Sequence, residues 1–282
     1  MLWTADPAYL YWLAFMAAAF GMFALSKRIT YTGNDVPVTR GSVGREISLV
    51  QAMRDFLNNP TMAALVAMAC FAWGFRIYVG QWGWRDAVAI VIVAILWPFA
   101  EWVTHVLVLH ARPYRFLGIK FDSVFAQIHR AHHRNPYDVK FGAAPPAALV
   151  QYGMIIPGIL AMLVLWPRSI TMSAMMITMV CRYEWWHHLI HSSYKPKSRW
   201  FRKLRDHHWW HHFQDEHNWY GVTSTGGDRL FRTNPDPKSV SRSETCRTLG
   251  QELPQPEPVR PFAPHQKLKN PLRMPGAIKA QH

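Results

Sequence analysis

Cysteine is scarce in this chain. Cys70, Cys181 and Cys246 are the only three in 282 residues, far apart and without a Cys-x-x-Cys spacing. That excludes a disulfide framework and a thiolate or iron–sulfur site. Acidic side chains are few as well, 17 Asp and Glu against 31 Lys and Arg, for a formal charge of +14. No flavin or nicotinamide fingerprint, internal repeat or second domain interrupts the pattern. The first 60 residues hold no histidine, so a haem-binding domain with histidine ligands has no place in that stretch.

Long apolar runs, by contrast, are abundant, and half of the residues are hydrophobic. A bilayer core of about 30 Å takes about 20 apolar residues as a helix. Five runs qualify: Ala8–Leu25, Met62–Val79, Ala87–His105, Ala144–Trp166 and Ile170–Trp186. The first has no positive charge before it and no small-residue cleavage site after it, which predicts an uncleaved anchor rather than a signal peptide. The second and third are joined by Gly80-Gln81-Trp82-Gly83-Trp84, and the last two break at Pro167-Arg168. Two helical hairpins follow from that punctuation.

Lys and Arg concentrate at 27–54, at 112–140 and after Lys195, whereas the turns at 80–86 and 167–169 carry a single Arg each. Basic loops stay on the cytoplasmic side. The N-terminus is therefore expected outside, and the C-terminal region in the cytoplasm. The same distribution makes anionic lipid, not nucleic acid, the counter-charge. The expected fold is an all-α integral membrane protein of about five transmembrane helices, an N-terminal anchor plus two hairpins, with a cytoplasmic helical cap. Residues 1–60 form the anchor and basic loop, 61–233 the main membrane domain, and 234–282 a basic, Pro-rich and poorly packed tail.

Histidine carries the chemistry. Ten of fifteen fall into four groups at the predicted membrane edge: His105 and His110; His129, His132 and His133; His187 and His191; His208, His211 and His212. On a helix, His-x-x-His-His projects three imidazoles from one face, and the chain contains it twice. A five-residue step turns about 140° on an ideal helix, so His105 and His110 require a helix end or a kink. Ten neutral imidazoles beside apolar surface need metal to satisfy them. They exceed one coordination sphere, which points to two metals a few Å apart. Imidazole suits zinc, copper, iron and nickel alike. His188, His207 and His217 are adjacent spares, with the register of His187 against His188 open. Glu101, Glu184, Asp206 and Asp215 are candidate acceptors for the outer imidazole N–H groups.

In order, these groups resemble the fatty acid hydroxylase and sterol desaturase superfamily over about residues 100–235. Residues 129–138, His-Arg-Ala-His-His-Arg-Asn-Pro-Tyr-Asp, are similar to the His-x-x-His-His-x-x-Pro-x-Asp stretch of the fatty acid 2-hydroxylases, and Pro145-Pro146 follow where that group has a proline pair. Tyr183-Glu184-Trp185-Trp186-His187 resembles its Tyr-Asp-x-x-His. His208-Trp209-Trp210-His211-His212-Phe213 and Tyr220-Gly221-Val222-Thr223-Ser224 resemble its last histidine box and the Phe-Gly-Val-Thr-Ser behind it. Ser192 and Arg232 depart from that subgroup's pattern.

The resemblance implies an O2-dependent lipid hydroxylase with two iron ions held by the ten histidines. Zinc would be a redox-inert substitute. Two electrons must come from a separate donor, a ferredoxin- or cytochrome-type protein drawn to the basic face. The lipid substrate would reach the centre through an apolar channel, for which Trp102, Trp185, Trp186, Trp209 and Trp210 are candidate linings. Sterol or carotenoid hydroxylation and lipid desaturation are the rival reactions of the same superfamily. A membrane metal-binding or transport protein is the rival of another class, although transporters hold ligands near mid-membrane and not at one edge.

Overall fold

The computed structural model describes residues 44–164 and 167–251, with a few isolated earlier positions. The expected anchor at 8–25, apart from such positions, and residues 252–282 lie outside the described residues. Helix α1 (Leu49–Asn58) starts where the Ser48 hydroxyl accepts the Gln51 N–H at 3.1 Å. Asn59 ends it and caps α2 (Pro60–Val79), its side chain accepting the N–H groups of Thr61 and Met62. Pro60 opens α2 at a position whose N–H would have no helical partner anyway.

Gly80 and Gln81, at φ 64° and 53°, turn the chain tightly into α3 (Trp84–Thr104). The buried Arg76 guanidinium holds this end together. It lies 2.7 Å from Asp86 Oδ1 and donates to Thr171 Oγ1 at 2.6 Å, tying α2 and α3 to α8 (Arg168–His191). Helix α8 runs through the middle of the molecule. Its Ile170, Ala174, Ile177 and Val180 join Leu65, Met68 and Ala72 of α2 and Val93 and Trp97 of α3 in one core.

Beyond α3 come a two-stranded hairpin, β1 (Tyr114–Phe116) with β2 (Ile119–Phe121), then α4 (Val124–Arg134) and α5 (Val139–Gly142). Helix α6 (Ala147–Val150), a π-helical turn at Gln151–Ile155 and α7 (Ile156–Leu163) form one irregular rod beside α8. Helix α9 (Arg199–Phe213) and the short α10 (Gly226–Leu230) are the last α-helices described, followed by a 3-10 turn at Pro237–Ser239.

Among the described residues, three stretches are long and apolar enough to cross a membrane: Pro60–Val79, Trp84–Leu109 and Val139–Leu160. The last begins ahead of the expected Ala144. Helix α8 has the length of a span, but it carries Arg168, Arg182, Glu184 and three histidines and is sheathed by its neighbours. Glu184, His187 and His191 bond main-chain groups inside the protein, so its sequence is not apolar all round.

Against expectation, the chain after Asn234 is packed as far as Gln251. Gln214 Nε2 donates to the carbonyls of Pro237 and Val240, the Ser243 N–H to Gln214 O, and Arg247 to the carbonyls of His133 and Arg134. These are main-chain and side-chain polar contacts, invisible to a reading based on apolar content.

Removing one member of a buried ion pair strands the other charge, at a cost of about 3–5 kcal/mol, whereas an apolar replacement of both is far milder. Asp86→Ala is therefore expected to melt well below the parent in detergent, and Arg76→Met with Asp86→Leu to recover most of the loss. Equal melting of Asp86→Ala and the parent would remove the clamp from the account of stability.

Candidate metal centre

Helix α3 brings the first imidazoles into position by changing its winding. His105–Leu109 is a π-helical turn in which the His110 N–H bonds His105 O at 3.0 Å. Closing the turn over five residues puts His105 and His110 side by side, with ring centroids 5.1 Å apart. Such single π turns concentrate at functional sites. Helix α4 contributes His129, His132 and His133, α8 contributes His187 and His191, and α9 contributes His208, His211 and His212.

The ten imidazoles divide into two groups of five. His105, His110, His129, His133 and His211 form one, and His132, His187, His191, His208 and His212 the other, each with ligand atoms within 4.8 Å of one another. The groups adjoin, since the rings of His133 and His212 are centred 4.2 Å apart. Adjacent positions on α4 and on α9 feed opposite groups, which is how two His-x-x-His-His strings serve both.

Outer nitrogens fix the tautomers. Main-chain carbonyls only accept, so the Nδ1 of His105 (to Tyr220 O, 2.7 Å), His133 (Cys246 O, 2.8 Å) and His211 (Asn218 O, 2.8 Å) must carry the proton. The same holds for His187 (Gly142 O, 3.0 Å) and His191 (Pro136 O, 2.9 Å). Their Nε2 atoms then present bare lone pairs inward.

In the first group, His105 Nε2 and His133 Nε2 both lie 3.1 Å from His129 Nε2, which can offer one proton at most. In the second, His187 Nε2 is buried without a partner, as are the Nδ1 atoms of His132, His208 and His212. Converging lone pairs with too few protons between them are what a cation satisfies. The residues present fit a metal in each group.

Burial, reinforced by neighbouring imidazoles, pushes His129, His132, His208, His211 and His212 well below the usual imidazole range. Burial likewise brings His133 down to about 3. Neutral imidazole is the ligating form.

His187, not His188, belongs to the centre. His188 points the other way, against Phe56 and Trp185. His207 bonds Asp228 Oδ2 at 2.8 Å, and His217 is exposed beside Glu216. The candidate carboxylates make no hydrogen bond to the ten histidines. Glu101 instead accepts from the N–H groups of Val222 and Thr223, steadying the loop whose Tyr220 carbonyl holds His105. Asp215 accepts from Asn218 Nδ2 at 2.6 Å, in the turn that presents the Asn218 carbonyl to His211. Glu184 is buried and accepts the Ala144 N–H, while Asp206 is exposed on α9.

Asp228, which no spacing singled out, gathers four donors: the N–H groups of Tyr220 and Gly221, the Thr233 hydroxyl and His207. Its one sequence cue is the Gly226-Gly227 pair before it. A Cβ on Gly227 would lie 2.5 Å from the Pro98 carbonyl, so α10 reaches α3 only as glycine allows.

A cavity of about 200 Å³ ends on both groups, touching His105 and His129 of one and His132 and His187 of the other. Its walls are mainly apolar, with Trp97, Phe125, Ile128, Phe141, Tyr152 and Val180 among them. None of the five tryptophans expected to line it does so. Trp102 stacks on Phe231, Trp185 on His188, and Trp209 on Phe213, while Trp186 meets Trp200 edge-on and Trp210 packs on Trp219. Helical position alone does not say which aromatic faces a cavity.

Three apolar stretches of membrane-spanning length among the described residues, and two buried histidine pentads at the end of an apolar cavity, define a histidine-rich helical membrane protein whose site fits metal. Residues 90–233 match the fatty acid hydroxylase family, and the chain belongs to that family. It is 24% identical over 148 residues to the dihydroceramide fatty acyl 2-hydroxylase FAH2 of Arabidopsis thaliana, covering 52% of this chain and 61% of that protein. The chain thus spans about three fifths of that relative's length. Its fold is similar to the structure of full-length scs7p, of which only the hydroxylase domain is visible. There the TM-score is 0.56 at 17% identity, over 78% of this chain and 85% of the other.

Two outcomes follow from this geometry. Because the folded chain holds its imidazoles below the unfolded value of about 6.5, the unfolded chain takes up more protons as pH falls through that value. Metal-free protein is expected to lose melting temperature steadily from about pH 6.5 downward, a trend that starts above the carboxylate range. A flat profile down to about pH 5.5 would contradict it. Separately, a Cβ on Gly221 would sit 2.0 Å from the Ser224 carbonyl. Gly221→Ala should displace the Tyr220 carbonyl from His105 and weaken metal at the first group about 10–100-fold. Chelator competition reads that directly, and unchanged retention would disconnect the loop from the metal.

Proposed function

We propose that this protein hydroxylates an aliphatic carbon of a fatty-acyl chain carried by a membrane lipid, using O2 and electrons from a separate ferredoxin- or cytochrome-type donor. The observation that carries the reading is the apolar cavity ending on imidazoles of both pentads. The name of the plant relative, a dihydroceramide fatty acyl 2-hydroxylase, supports a ceramide-type acyl chain as the substrate class. His105, His110, His129, His133 and His211 would hold one iron ion, and His132, His187, His191, His208 and His212 the other. When bound, the two ions supply the redox chemistry that an unactivated C–H bond demands and that zinc lacks.

The chain's own residues then have separable duties. The cavity wall holds the acyl chain out of water and end-on to the centre. The carbonyls of Tyr220, Asn218, Cys246, Gly142 and Pro136 hold each bonded imidazole in its Nδ1-protonated form. The segment reaching Cys246 covers the first group, since Arg247 and Cys246 both bond His133. The reading includes five crossings with the N-terminus outside and the histidine centre and C-terminus in the cytoplasm, from the distribution of Lys and Arg. Residues 61–233 are the catalytic membrane domain in this view, and 234–282 an appended segment.

The test is a lipid comparison by mass spectrometry between hosts expressing the wild type, His132→Ala and His211→Ala. Acyl lipids gaining one oxygen in the wild type alone are expected, with iron at two per chain in anaerobic preparations. Loss of two hydrogens would replace hydroxylation by desaturation. Identical lipids in all three hosts would end the enzyme reading.

A further inference from the structure

The hairpin between α3 and α4 is poorly explained as a loop in water. Its register pairs Tyr114 with Phe121, Arg115 with Lys120 and Phe116 with Ile119. Alternation therefore places Tyr114, Phe116, Ile119 and Phe121 on one face, and Arg115 on the other. The apolar face is bare. Tyr114 is 63% exposed, Phe116 61%, Ile119 61%, and Leu117 at the tip 85%. Strands of three residues are marginal alone in water. Residues 112–121 hold three cations and no acid.

Position makes the pattern meaningful. The hairpin begins five residues after Leu109, where the apolar stretch Trp84–Leu109 ends. It stands at the rim of the cavity, which is bounded by Val108 and Leu109 before it in the chain and by Phe125 and Ile128 after it. Arg130 of α4 grips its base, donating to both Asp122 carboxylate oxygens at 2.6 and 2.7 Å and to the Ala111 carbonyl at 3.4 Å. Arg130 adjoins His129. At the same end of the molecule α1, which packs on His188, exposes Leu49, Val50, Met53 and Leu57.

We propose that the Tyr114–Phe121 hairpin lies in the headgroup layer of an anionic membrane, aromatic face toward the acyl chains and cations toward phosphate. It thereby holds the cavity rim against the bilayer from which a lipid would enter. An exposed aromatic face backed by cations is the composition of interfacial elements, which sink about 5–10 Å into the headgroup boundary. The inference needs α3 to cross the membrane but does not depend on the reaction, so its outcome is separate from that of the hydroxylation test.

The test places an environment-sensitive fluorophore on Leu117→Cys, Ile119→Cys or Arg115→Cys in a Cys70→Ser background, with Lys238→Cys as an aqueous reference. Each protein is reconstituted in nanodiscs of phosphatidylcholine with phosphatidylserine. Labels at 117 and 119 should be quenched by lipids carrying a nitroxide near the headgroup and shielded several-fold from iodide relative to 238. The label at 115 should be more open to iodide than the one at 119. The proposal is overturned if 117 and 119 are as open to iodide as 238. It is overturned equally if they are shielded yet untouched by nitroxide lipid, which would mean that protein, such as a second copy, covers the face. Three labelling positions guard against one substitution disturbing the turn, and loss of iron or of lipid oxidation would not alter the readout.

Discussion

Ten imidazoles packed ring against ring away from water have too few protons among them to satisfy every nitrogen, and the arrangement of this protein follows from that shortage. Each bonded outer nitrogen spends its proton on a main-chain carbonyl, which leaves the inner lone pairs converging in two places. The carbonyls come from three separate segments, around Pro136 and Gly142, Asn218 and Tyr220, and Cys246. The centre is thus complete only when the segments after α4, α9 and α10 are all in place. A metal held there would have its affinity coupled to folding through those bonds.

The membrane part is shaped to reach the same point. Helix α3 is interrupted twice near its end, by Pro98 and by the π turn at His105–Leu109. At the first interruption α10 docks through Gly227, and Glu101 one turn further binds the Val222–Thr223 N–H groups. The second rotates His105 and His110 together. At the opposite end the Arg76–Asp86–Thr171 cluster fixes α2, α3 and α8, so the irregularities are confined to the end where the chemistry lies.

Much of the candidate site is legible in the sequence, because His-x-x-His-His has a face on a helix whatever the helix packs against. The apolar spans at 60–79 and 84–109 were legible for the same reason, length and composition being properties of one segment. Other features were not. Whether His187 or His188 turns inward depends on the rotation of α8 against α9, and α8 is polar enough to blur its own pattern. The five tryptophans chosen for the channel pack elsewhere, since an aromatic ring serves core, interface and cavity equally well. The segment after Asn234 read as loose because its packing is polar, made by Gln214, Arg247 and main-chain groups.

The sequence by itself determined the membrane-embedded class, the four histidine groups and their family, since these rest on residue type and on short-range spacing. Tertiary structure decided how four groups become two pentads, which imidazole faces inward, and which carbonyls hold the protons. The physical reason is that every residue carries a carbonyl. No side chain marks the one that will accept from a histidine, and only the folded path of the chain brings Tyr220, Asn218, Cys246, Gly142 and Pro136 to the nitrogens they serve.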